Sequence, residues 1–183
     1  MKITAWLVVA LFAGAVCVWA QTVSSVDAEK ALNARKEIAD SVLHGTSADA
    51  ALAQLRSAKN ISGLPVPSTD GDVGFAALDI GLRLLSAGKP EPAEKFFRET
   101  EKALAKAVKE TLDEAPAEKA EYLSSLSFVR ANFLNKKAEA KADLDEVLRL
   151  KPDHPTAKQA RERLINSAPE IFKDQLIGKE VRP

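Results

Sequence analysis

Apolar residues recur every three or four positions along most of this chain, from residue 24 to residue 167. That spacing places them on one face of an α-helix, whereas a half-buried strand would alternate apolar and polar residues. Glycine, proline and capping residues divide the pattern into segments. We therefore predict an all-α protein, with helices over residues 24–43, 47–58, 73–87, 93–112, 116–134, 138–150 and 155–167 and a short helix within 169–177.

One break interrupts this pattern, over residues 60–72, where Gly63, Pro65 and Pro67 fall close together. Such a cluster predicts a loop or linker. A loop of this length is uncommon inside a compact domain, so it is either a functional loop or a boundary. It separates a predicted N-terminal helical hairpin (21–59) from a main body (73–167), which a short helix and tail (168–183) follow.

The predicted helix over residues 73–87 is apolar almost all round. Such a helix usually lies buried between neighbours. An exposed stripe containing Phe75, Leu78 and Leu82 would invite aggregation. We expect the N-terminal hairpin to cover these side chains, and an open binding face is the alternative.

The first twenty residues differ from the rest of the chain. Lys2 precedes an apolar run that ends in Val18, Trp19 and Ala20, the pattern of a signal peptide cleaved after Ala20. Two alternatives stay open: residues 3–20 are long enough for a membrane anchor, and Cys17 follows a lipoprotein-like sequence in which Val16 is larger than usual. Cleavage predicts a periplasmic or secreted protein of the bacterial cell envelope.

Cleavage would also change the chemistry of the chain, because its only cysteine, Cys17, lies in the segment removed. The mature protein would then form no disulfide and would lack soft ligands for zinc, copper or iron–sulfur centres. The full chain has 26 basic and 26 acidic residues, so its overall charge gives no reason to expect nucleic-acid binding. We expect contact with a membrane only through the N-terminal segment, if it stays uncleaved.

Residues suited to catalysis are few. His44 and His154 are the only histidines, and neither has a nucleophile or a metal-ligand spacing around it, so we expect them to cap helices or face solvent. Asp143 and Asp145 fall on different faces of one predicted helix, which is typical of solvated charges. The sequence therefore predicts no catalytic residue, no metal and no cofactor, and we do not expect an enzyme.

The helix pairs share a sequence frame. A residue suited to ending a helix precedes an alanine by five positions three times: Gly45 and Ala50, Gly88 and Ala93, Asn135 and Ala140. A large apolar residue follows the second and third alanines after four positions, as Phe97 and Leu144. In the first pair this position holds Gln54, which departs from the pattern.

These residues resemble the tetratricopeptide repeat (TPR) family, whose repeats carry Gly on the first helix, Ala-x-x-x-Phe on the second and Pro after it. Gly81, Ala93 and Phe97 match this pattern in the middle pair, and Ala140, Leu144, Val147, Leu148 and Pro152 match it in the next. The alanines are 43 and 47 residues apart instead of the usual 34. The resemblance implies antiparallel helix pairs stacked as a short α-solenoid, with the helix over 155–167 as a C-terminal cap.

The resemblance also implies a function, because TPR proteins bind polypeptides along the concave face formed by the first helix of each pair. Carried onto this sequence, that face consists of Phe75, Leu78, Leu82, Tyr122, Ser125, Val129, Asn132 and Phe133. We therefore expect an exported scaffold or adaptor whose partner is another protein or peptide. A purely structural, self-associating helical bundle is the alternative, since a heptad-like seam over residues 93–111 would suit a homo-oligomer.

Overall fold

The computed structural model describes residues 25–58, residue 61 and residues 69–168. The described residues form seven helices and no strand, which confirms the predicted all-α class. The helices are α1 Ser25–Leu43, α2 Ala48–Ser57, α3 Asp70–Ser86, α4 Pro90–Glu110, α5 Pro116–Asn132, α6 Lys137–Leu150 and α7 Pro155–Ser167. In this part of the chain no helix is both long and apolar enough to cross a membrane. The predicted signal peptide and the short helix within 169–177 lie outside the described residues.

Local chemistry explains where the helices begin. The Ser47 hydroxyl accepts a hydrogen bond from the Ala50 amide and caps α2. Prolines occupy the first turn of α4, α5 and α7, where a missing N–H costs nothing. At α3, Thr69 and Asp72 form a reciprocal capping box, so this helix begins at Asp70, three residues before the predicted start.

Three connections between helices contain a residue in the left-handed region of φ. Gly45 has φ +108°, Gly88 has φ +74° and Asn135 has φ +54°. They follow α1, α3 and α5, the first helix of each predicted pair. Glycine and asparagine adopt this conformation at the lowest cost, which explains why these residue types end the helices.

The repeated frame is more regular in the structure than in the sequence. The fourth residue of each of these helices is an alanine: Ala51 in α2, Ala93 in α4 and Ala140 in α6. All three are fully buried. Four positions further on lie Leu55, Phe97 and Leu144, which are also buried. The assignment of Ala50 and Gln54 to this frame was wrong: both are exposed, because two residues separate Gly45 from the start of α2, whereas one residue separates Gly88 from α4 and Asn135 from α6.

Packing follows the order of the chain. The most extensive helix–helix contacts join α3 to α4 and α5 to α6, while α4 packs on α5 and α7 packs on α6. Residues of α1 and α2 form one apolar cluster with α3 and α4, in which Leu78 is buried and Leu82 is partly buried. The N-terminal helices therefore cover Leu78 and Leu82, as predicted, whereas Phe75 packs instead against the cluster of α4 and α5. Further clusters join α5, α6 and α7, and α4 with α5.

Two glycines let α3 approach α4 closely. A Cβ atom at Gly74 would lie 2.6 Å from the side chain of Leu104, and one at Gly81 would lie 2.7 Å from the ring of Phe97. Real Cβ atoms do not approach other atoms so closely, so only glycine fits without rearrangement. The two residues are seven positions apart and both face α4.

Ile61 is the only described residue between Ala58 and Thr69, and it is fully buried in the N-terminal cluster. The Arg35 guanidinium of α1 donates two hydrogen bonds to its carbonyl oxygen, at 3.1 and 2.9 Å. The segment predicted as a loop is thus anchored to α1 at this point. Because α3 begins at Asp70, the connection before it ends at Thr69, and not at residue 72 as predicted.

The prediction that Asp143 and Asp145 are solvated was wrong. Asp143 is buried and accepts hydrogen bonds from Arg130 of α5 at 2.9 and 3.0 Å. Arg130 also donates to Glu101 of α4 at 3.0 Å, so one guanidinium connects three helices. Asp145 is partly buried and receives hydrogen bonds from Lys141 and Arg161. The two carboxylates lie on different faces of α6, as the sequence indicated, but each of them contacts a neighbouring helix.

Candidate functional site

The eight residues predicted to contact a partner are not a single open surface. Tyr122, Ser125, Val129 and Leu78 are buried, and Val129 belongs to the same apolar cluster as residues of α1 to α4. Phe75, Leu82 and Phe133 are partly buried, and only Asn132 is exposed. The interpretation of the four buried residues as part of an open concave face therefore needs correction: Tyr122 and Val129 of α5 pack against α3 and α4, and Leu78 of α3 packs in the cluster formed with α1 and α2.

Tyr122 shows why this face is closed. Its ring lies 5.6 Å from the ring of Phe75 and against Gly71, where an added Cβ atom would fall 2.5 Å from the hydroxyl oxygen. The hydroxyl donates a 2.6 Å hydrogen bond to Glu118 on the preceding turn of α5. Burial raises the pKa of Tyr122, and the Glu118 carboxylate raises it further. The side chain is therefore a neutral, satisfied core residue.

An aromatic group at the C-terminal end of α5 is more accessible. The Phe133 ring stacks on Phe97 at 4.0 Å and meets Phe128 edge to face at 5.4 Å. Phe128 and Phe133 are both partly buried, and the exposed Asn132 donates a hydrogen bond to the Phe128 carbonyl at 2.8 Å. We call Phe128, Asn132 and Phe133 the aromatic patch. Phe128 was not among the predicted contact residues, although its position one helical turn before Asn132 could have indicated it.

A second surface feature is a shallow cleft of about 300 Å³ where the start of α3, the end of α4 and the start of α5 meet. Its lining has an apolar part, Gly71, Ala107, Leu112, Ala115 and Tyr122, and a polar part, Thr69, Asp70, Glu110, Thr111 and Glu118. We call it the Tyr122 cleft. On its rim, Lys106 donates to Asp70 at 2.6 Å and lies 3.6 Å from Glu110. The hydrogen bond to Asp70 raises the pKa of Lys106, so this lysine stays charged.

The histidines hold structural positions. His154 is buried, and its Nδ1 atom accepts a 3.2 Å hydrogen bond from the Ala157 amide at the start of α7. The capping role predicted for it is confirmed, but it does not face solvent. His44 is exposed at the end of α1. Among the described residues, no group of three or more histidine, cysteine or acidic side chains is arranged to hold a metal ion.

Comparison of the chain with protein-family models, with curated proteins and with solved structures gives no match in any of the three. The resemblance to TPR proteins therefore rests on the residues of this chain alone. Its support is the repeated frame of buried alanines and large apolar residues, together with the close approach of Gly81 to Phe97.

Proposed function

We propose that this chain is an exported, TPR-like module that binds another polypeptide in the bacterial cell envelope. The observation that carries the proposal is the frame shared by α2, α4 and α6, in which a buried alanine and a large apolar residue recur at the same distance from each helix start. Left-handed residues precede each of these helices. Stacked helix pairs of this kind form α-solenoids, whose extended surfaces are used for binding.

The aromatic patch is the surface we assign to the partner. Aromatic side chains are enriched at protein interfaces, and an exposed amide supplies hydrogen-bonding groups beside them. The patch carries no charged residue, so binding should depend on apolar burial and change little with salt. Because the patch is small, we expect a contact area near or below about 1,200 Å² and an affinity in the micromolar range.

Self-association through the seam over residues 93–111 finds less support. Ala93, Phe97, Thr100, Leu104 and Ala107 are buried against neighbouring helices of the same chain. They are not available to a second copy without unfolding of the described part. The heptad-like spacing is explained by the packing of α4 within the chain.

The test of binding is chemical crosslinking and pull-down of the cleaved chain from the envelope fraction of its own cell. Asn132→Arg places a long charged side chain in the aromatic patch and should abolish capture without unfolding the protein, since Asn132 is exposed. Gln159→Arg, at an exposed amide on α7, is the matched control and should capture normally. Capture that is equal with both variants excludes the aromatic patch as the contact surface.

Export has its own test, the intact mass of the protein recovered from the envelope fraction. Cleavage after Ala20 leaves Gln21 as the first residue and removes Cys17. A mass that retains residues 1–20, or that includes a lipid on Cys17, would overturn the proposed cleavage and favour one of the two anchored forms.

A further inference from the structure

The Tyr122 cleft lies in a strongly acidic part of a chain whose overall charge is zero. Between residues 110 and 118 the sequence contains four carboxylates and no basic residue: Glu110, Asp113, Glu114 and Glu118. Of these, Glu110 and Glu118 line the cleft; Asp70 adds a third carboxylate on its α3 side, and the residues that line the cleft include no basic one. Lys106 and Lys119 offset this charge in part, through contacts with Asp70 and Asp113.

Not all of these carboxylates are needed by the helices beside them. Asp70 and Glu118 lie in the first turns of α3 and α5, where a negative charge is favourable next to the positive end of the helix dipole. Glu110 is the last residue of α4, where a negative charge is unfavourable. Its nearest cation, Lys106, lies 3.6 Å away and already donates to Asp70. Apart from this i,i+4 ion pair with Lys106, helix stability gives no reason for a carboxylate at this position.

Leu112 is a second and independent feature of the same cleft. It is 71% exposed, more than the other exposed large apolar side chains in the described ranges, which are Leu32 and Leu85. It lines the cleft beside Ala107 and Ala115, so an apolar side chain placed in the cleft would contact it. An uncovered leucine next to several carboxylates suits a ligand that is apolar at one point and cationic at the next.

We propose that the Tyr122 cleft binds a segment of a partner polypeptide in which a Lys or Arg side chain neighbours an apolar side chain. The apolar side chain would cover Leu112, and the cationic group would contact Glu110 and Glu118. The negative charge of the cleft favours this ligand over an anionic segment. An anionic segment would gain nothing from the starts of α3 and α5, because Asp70 and Glu118 already lie there. This surface is distinct from the aromatic patch, and contact with it should depend on salt, whereas contact with the uncharged aromatic patch should not.

The test uses two fluorophore-labelled nonapeptides of glycine and serine that differ only at the centre, Leu-Lys-Leu in one and Leu-Glu-Leu in the other. Binding to the cleaved chain is followed by NMR amide shifts and by fluorescence anisotropy. We expect the lysine peptide to shift amides around Leu112 and Glu110 and to bind at least about tenfold more tightly than the glutamate peptide. Its binding should weaken near 1 M salt, where the Debye length falls to about 3 Å.

Variants at exposed positions separate the cleft from the general surface. Leu112→Ser and Glu110→Lys should each weaken binding of the lysine peptide about five- to tenfold, the loss of roughly 1 kcal/mol or slightly more. Leu85→Ser and Glu94→Lys change the same residue types at exposed sites away from the cleft and should have no effect. Equal affinity for the two peptides, or equal losses at Leu112 and Leu85, would overturn the proposal.

One further variant distinguishes peptide binding at the Tyr122 cleft from peptide binding at the aromatic patch. Asn132→Arg should leave binding of the lysine peptide unchanged, because Asn132 is not among the residues that line the cleft. Loss of peptide binding in Asn132→Arg, with the helical content intact, assigns the peptide to the aromatic patch and contradicts a separate site at the Tyr122 cleft.

Discussion

The rings of Phe97 and Phe133 stack nearly parallel, with centroids 4.0 Å apart and planes 9° apart. Phe97 is buried in α4, whereas Phe133 is partly buried at the end of α5. Phe97→Ala should lower the free energy of unfolding by about 3–5 kcal/mol, because it leaves a cavity in the core. Phe133→Ala should cost roughly 1–2 kcal/mol, since less of that ring leaves an apolar environment. Denaturant titrations measure both losses, and equal losses would contradict this assignment of burial.

Because α3 and α4 pack closely, the substitution Gly81→Ala should lower the stability of the protein rather than raise it. In an exposed helix, Gly→Ala stabilises by about 1 kcal/mol. At Gly81 the added Cβ atom would meet the Phe97 ring at 2.7 Å, so overpacking should exceed that gain and destabilise the protein by about 1–3 kcal/mol. The measurement is the unfolding free energy of Gly81→Ala alone and in combination with Phe97→Leu.

The smaller leucine should relieve the contact, so the cost of Gly81→Ala should be lower in the Phe97→Leu background than in the natural one. If the two losses are additive in this double-mutant cycle, the Cβ atom added at Gly81 does not clash with the Phe97 ring.

Much of the helical structure could be predicted from the sequence because its signals are local. Proline, glycine and the three- to four-residue apolar spacing indicated each described helix to within a few residues. The start of α3 was missed because Asp70 and Gly71 are typical of turns, whereas here Thr69 and Asp72 cap the helix. The frame in α2 was displaced by one residue, since the sequence does not show how many residues a connection contains.

The candidate site was harder to predict because it depends on contacts between distant parts of the chain. Amphipathic spacing identifies which side of α5 is apolar, but not whether another helix covers it. Tyr122 is closed off by Gly71, which is far from it in the sequence and has no side chain to suggest a contact. The Tyr122 cleft likewise forms from three helix ends, so no single stretch of sequence indicates it.

Asp143 predicts a pH dependence of stability. Burial raises the pKa of this carboxyl to about 6, against the opposing effect of Arg130 at 2.9 Å. Since the pKa in the folded state exceeds that of about 3.9 for an unperturbed Asp, the folded protein binds this proton more tightly than the unfolded chain does. The Asp143 contribution to stability should therefore increase by about 1 kcal/mol as the pH falls from 7.5 to 5 and be lost again as the pH rises through 6.

Asp143→Asn is the matched variant, because it keeps a hydrogen-bond acceptor for Arg130 and cannot titrate. Denaturant titrations at pH 7.5 and pH 5 should show a smaller rise in stability for the variant than for the natural chain. Glu101 does not confuse this comparison: Lys136 and Arg130 lower its pKa against the effect of burial, so its stabilisation is lost only at more acidic pH. Identical pH profiles for the two proteins would show that Asp143 does not titrate in this range.

The last prediction concerns the cap of α7. His154 Nδ1 accepts the Ala157 amide hydrogen bond at 3.2 Å, so the ring must carry its proton on Nε2, which lies 3.6 Å from Glu121. Removing a side-chain cap costs about 1 kcal/mol, and His154→Ala should lose at least that much because the ring is also buried. His154→Asn supplies a side-chain oxygen at the same position and should recover the cap but not the packing of the ring. Hydrogen exchange of the Ala157 amide separates the two effects: it should quicken in His154→Ala and stay slow in His154→Asn. Equal exchange in both variants would mean that the ring stabilises this connection by packing alone.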